Sequence, residues 1–147
     1  MSSKSQLIVQ QCQWAEAREL KPDARGYLAT VEGNLFQPMN EFTRKAFDNG
    51  SGSELQDTRS CPAKMKALHS SSALVVNFFD NWVGKKSSAL SSVLGLGTEL
   101  VAIKFEEQLP TGLPGNPPNL DVVLKLSDGH VVGIESKFSE WLKVLSS

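Results

Sequence analysis

The sequence has only two cysteines, Cys12 and Cys61, and neither belongs to a Cys-x-x-Cys pair. A zinc module and a disulfide framework are therefore not indicated. Long apolar runs are missing too: no segment approaches the roughly 18 apolar residues that span a bilayer. The N-terminal MSSKSQLIVQQCQW holds an apolar stretch too short and too polar-flanked for a secretory signal. These absences point to a reducing, cytoplasmic setting with no membrane partner. An excess of positive charge is also lacking, since the net charge is -1. A basic surface of the kind that grips nucleic acid non-specifically is not written into the composition. It does not argue against a metal-assisted enzyme, because a bound cation supplies positive charge locally.

What is present is ordinary for a globular chain. The 147 residues are 40 % hydrophobic and 21 % charged, enough to bury one core of moderate size. Three zones follow along the chain. Residues 5–20 read as a short helix ending before Pro22. Residues 22–62 carry the breakers Pro22, Gly26, Gly33, Pro38 and NGSGSELQD, with a short helix near 40–48. Phe36, Phe42 and Phe47 keep this zone from reading as pure linker. Residues 63–83 are helical in pattern: Leu74, Val75, Phe78, Phe79 and Trp82 recur at helical spacing, so the aromatics read as core. Ser70 to Ser72 offer N-caps and Gly84 a stop. A shorter helix follows over 87–94.

The third zone reads as sheet. Segments 100–109, 119–126 and 130–138 are β-branched and apolar, with the Pro/Gly-dense PTGLPGNPPN as a loop between the first two. The residues SEWLKVLSS then begin a further helix. Domains are expected as an irregular, partly helical lobe over 1–62 and a core over 63–147.

Between the last two strands stand only Ser127, Asp128 and Gly129, and their arrangement sets what the hairpin can do. A two-residue Asp128-Gly129 turn pairs Ser127 with His130 and sets Asp121 against Ser136. A three-residue loop, with Gly129 in a left-handed conformation, pairs Leu126 with His130 and sets Asp121 against Glu135. Lys137 then shares their face, because strand side chains alternate with period two. Only the three-residue loop, or a bulge near Asp121, assembles two carboxylates and a lysine. Adjacent carboxylates repel unless a hard divalent cation takes oxygen ligands from both. Mg²⁺ fits this set, with Mn²⁺ as a substitute, and the Ser136 carbonyl is one further oxygen.

The string acid-x-lysine is weak by itself, since Glu19-Leu20-Lys21 repeats it inside a helical stretch with no upstream acid. Context distinguishes Glu135-Ser136-Lys137, which follows the apolar VVGI while Asp121 opens the apolar VVL. Such strands read as covered on both faces, where charge is costly unless paired or metal-bound. The competing reading is a structural ion pair. For His69 and His130, which lack ligand partners at suitable spacing, the structural reading prevails. Lys85 and Lys86 read as a solvated helix end.

With its helix, strand, Pro-rich loop, Asn119-Leu120-Asp121-Val-Val-Leu, hairpin and Ile134-Glu135-Ser136-Lys137, the segment 70–140 resembles the PD-(D/E)XK, or restriction-endonuclease-like, nucleases. The resemblance implies an α/β core with helices packed on a small, mostly antiparallel sheet. It implies Asp121 and Glu135 as metal ligands, Lys137 as the catalytic lysine, and Mg²⁺-dependent cleavage of DNA. Some members add another acid, for which Glu106 and Glu107 are candidates by position; alternation allows only one of them on the site's face. Two departures stand out. Leu120 replaces the proline usual before the aspartate, and only ten residues follow Lys137 where the family's core continues with a helix and a strand. The chain thus reads as C-terminally short, with an open sheet edge that favours a homodimer. The alternative function is a catalytically silent fragment or nucleic-acid binding module of the same fold.

Overall fold

A computed structural model describes the chain except residues 1–2, 51, 111, 113, 116, 118 and 139–147. The helix expected in SEWLKVLSS lies outside the described residues. The fold is α/β: helices α1 (Ser3–Ala17), α2 (Glu41–Asn49), α3 (Ser71–Phe79) and α4 (Ser88–Val93) precede strands β1 (Leu100–Gln108), β2 (Asn119–Leu126) and β3 (Val131–Ile134). Among the described residues no helix is long and apolar enough to cross a membrane.

Contacts divide the chain into two compact units, each drawing on both sides of residue 62. The first comprises residues 1–38, 53–74 and 136–147, the second 39–52 and 75–135.

In the first unit α1 ends where Glu19 turns left-handed (φ 57°) and Leu20 N–H reaches back to Ala15 O (2.9 Å). The rest is mostly irregular and tied by side chains. Asn34, itself buried, donates from Nδ2 to Met65 O (3.0 Å) and Ala67 O (2.7 Å). Gln11 Nε2 donates to Leu68 O. The Asp57 carboxylate accepts from Ala63 N–H (2.8 Å) and pairs with Lys66 (2.9 Å), and these contacts, Lys66 first, hold its pKa low. The helical reading of 63–83 is corrected here. Residues Lys64–Lys66 form a 3-10 turn, and α3 starts only at Ser71, with Ser70 Oγ capping Ala73 N–H (3.1 Å).

The second unit contains the sheet, in order β1-β2-β3 and antiparallel throughout. Val122, Val123 and Leu124 are fully buried, so β2 is covered on both faces, as its unbroken apolar run requires. α2 packs on β1, with the Phe47 and Phe105 rings 5.7 Å apart. Asn40 caps α2 by accepting from Phe42 N–H, and the buried Asp80 carboxylate accepts from Asn40 N–H (both 2.9 Å). Ser87 caps α4, and its own N–H donates to Leu100 O at the start of β1 (3.0 Å).

The apolar stripe of α3 also differs from the spacing argument. Val75, Val76 and Phe79 are buried, whereas Leu74 and Phe78 are 43 % and 49 % exposed. The helix is apolar around most of its girth, so periodicity does not single out the buried face.

Candidate functional site

The hairpin has the three-residue loop. Leu126 N–H donates to His130 O (2.9 Å), and Gly129 N–H to Leu126 O (3.0 Å). Gly129 adopts φ +87°, a conformation that favours glycine. Asp128 braces the loop: its carboxylate accepts from His130 N–H (3.0 Å) and pairs with the His130 ring (3.0 Å). The ring hydrogen bond, then the backbone one, draw the Asp128 pKa down to about 2, and the same carboxylate raises that of His130.

This loop fixes the pairing beyond it. Lys125 faces Val131, and the register runs without a break to Val122 opposite Ile134. The pairing ends there; the same register carried one step on would bring Asp121 opposite Glu135, the first residue after β3. Asp121 is half-buried and Glu135 exposed. Both belong to the second unit.

The third strand is shorter than the sequence suggests. It ends at Ile134, not at Phe138, because pairing with β2 stops there. Burial still alternates across the motif: Glu135 exposed, Ser136 buried, Lys137 exposed. Ser136 Oγ donates to Ser71 O at the start of α3 (3.1 Å), a partner 65 positions away that spacing rules do not reveal. Ser136 and Lys137 belong to the first unit.

The two acids of β1 take separate roles. Glu107 pairs with Lys125 (3.3 Å). Stepping the β1–β2 register places Glu106 opposite Asp121, between the pairs Phe105↔Val122 and Glu107↔Leu120. Its backbone is left-handed there (φ 51°), and its carboxylate accepts from Asn119 Nδ2 (3.1 Å). Such a conformation is uncommon for a residue with a side chain and distorts the ladder locally.

Asp121 and Glu135 are carboxylates, neither thiol nor imidazole, a donor type suited to a hard cation such as Mg²⁺. Among the described residues no group of three His, Cys, Asp or Glu side chains stands close enough to hold a metal ion. His69 packs edge-on against Tyr27, with ring centroids 6.3 Å apart, as a structural histidine would.

A family model described as Restriction Endonuclease associating with ARP matches residues 8–143, nearly the whole chain. The chain belongs to this family. Membership links the protein to restriction endonucleases and, at the same coarse level, to nuclease-related function with DNA as the substrate. No significant match was found among curated proteins or solved structures.

Proposed function

We propose that this chain is a Mg²⁺-dependent deoxyribonuclease of the PD-(D/E)XK type that hydrolyses phosphodiester bonds. The observation that supports the proposal is the hairpin register, paired as far as Val122 and Ile134, whose continuation by one step would bring Asp121 to Glu135 in a member of a restriction-endonuclease family. Asp121 and Glu135 would hold the cation through their oxygens. A bound Mg²⁺ would supply a water of lowered pKa and charge stabilisation at the phosphate. Lys137, two residues along the chain from Glu135, would orient the attacking water or stabilise the negative charge that develops on the phosphate. The buried Ser136 hydroxyl, bonded to Ser71 O, fixes the backbone between these two exposed residues.

A second reading is a nucleic-acid binding module without turnover, since among the described residues no group of three His, Cys, Asp or Glu side chains could hold a metal ion. The family's description also names ARP as an associate, and association with ARP belongs to the proposal on that ground alone.

Nicking of supercoiled plasmid with Mg²⁺ or Mn²⁺, against EDTA, tests this reading. The Asp121→Ala and Lys137→Ala proteins, checked for folding by circular dichroism, should each lose at least about a hundredfold in rate. Plasmid retardation without nicking by folded wild-type protein would transfer the case to the binding module. Nicking that survives in both variants would sink the site.

A further inference from the structure

Among the described residues β1 is an edge strand, paired along one side by β2. Among the described residues the one backbone hydrogen bond from another element to its outer edge is Ser87 N–H to Leu100 O; from Val101 to Phe105 there is none. Open strand edges present backbone donors and acceptors that pair readily with a further strand.

This edge lies in a groove of about 560 Å³ within the second unit. Val101 to Phe105 line it in unbroken succession, so it follows the strand. One face of α2 forms the wall through Phe42, Ala46 and Asn49, and Val83 and Gly84 contribute near the end of the 3-10 turn Asp80–Trp82. Phe42 is 76 % exposed, a large apolar ring left in water. A channel between a helix and an open strand edge suits an extended peptide: the edge supplies main-chain hydrogen bonds, and the channel takes alternate side chains.

Charge selects the occupant. Lys45, Lys86 and Lys104 line the groove and are exposed, while the single acid there, Glu107, is paired with Lys125. In a chain of net charge -1 this is a local concentration of positive charge.

We propose that the groove between α2 and the outer edge of β1 binds an extended acidic segment of a partner protein, which joins the sheet as a fourth strand. The strand edge, regularly paired over 102–105 beyond a register shift between Leu100 and Ala102, favours a peptide over a nucleic-acid strand, for which lysines alone would suffice. The inference is independent of the nuclease reading.

The test uses the full chain and a fluorescein-labelled nine-residue peptide of alternating valine and glutamate, followed by fluorescence anisotropy. Binding is expected, with amide hydrogen exchange slowed across 101–105. The triple variant Lys45→Glu, Lys86→Glu, Lys104→Glu, whose changes are all on the surface, should weaken binding about tenfold or more. A peptide with lysine in place of glutamate should not bind. The proposal is overturned if the valine–glutamate peptide does not bind, or if it binds without protecting 101–105. It is also overturned if a twelve-nucleotide oligo(dT) binds in place of the peptide and the triple variant abolishes that binding.

Discussion

In the first unit the most deeply buried side chains are small or flexible, Ala15, Ala63, Met65 and Ala67, and polar side chains reaching backbone carbonyls supply much of the order. In the second, branched and aromatic residues fill the interior, and the ladder itself satisfies the backbone. Irregular backbone pairs with itself only in places, as where Leu28 N–H reaches Lys66 O and Leu68 N–H reaches Gly26 O, and Asn34, Gln11 and Asp57 serve further carbonyls and amides. The contrast predicts which substitutions hurt each unit, and why.

The largest loss belongs to the sheet. Leu124 is fully buried in β2, and Leu124→Ala should lower stability by about 3 kcal/mol in urea denaturation, through lost transfer energy and a residual cavity. Next comes the first unit's polar tie. Asn34→Ala leaves the carbonyls of Met65 and Ala67 without their donor and should cost about 2 kcal/mol. A loss under about 0.5 kcal/mol would erase the contrast, since the tie would then be incidental. At the hairpin, Gly129→Ala forces a side chain into φ +87°, and a loss of about 1 kcal/mol is expected from the same denaturation.

The smallest effect is a titration. The raised His130 pKa means its pairing with Asp128 contributes fully below the unfolded value of 6.5 and is lost as pH rises through the folded value. Asp128, held at about 2, contributes above 3.8 and loses its part as pH falls through the folded value. The turn is therefore firmest between about pH 4 and 6.5. An NMR titration should place the His130 pKa above 6.5, and Asp128→Asn should return it toward that value.

The sequence was most legible where pattern and period coincide. The range of β2 and the place of the turn follow from apolar runs and one glycine, while the three-residue loop that pairs Leu126 with His130 was one of two registers those residues allow. The end of β3 did not follow, because Ser136 leaves the ladder for a carbonyl 65 positions away. Nor did the first unit's ties, which join distant residues with no period to betray them. At the candidate site, the facing of Asp121 and Glu135 expected from alternation lies one step beyond the paired residues, and the left-handed backbone at Glu106 had no sequence signal.

The three-residue loop acts at a distance. From Leu126 to Asp121 is five residues, about 17 Å of strand. Strand side chains alternate, so the loop works like the phase of a two-stroke cycle: a slip of one position would present Ser136 to Asp121 instead of Glu135. Asp128 and Gly129 spell a dipeptide that also suits the competing two-residue turn, and the Asp128–His130 clamp favours the observed phase. The phase of the pairing as far as Val122 and Ile134 is thus set at the far end of the hairpin.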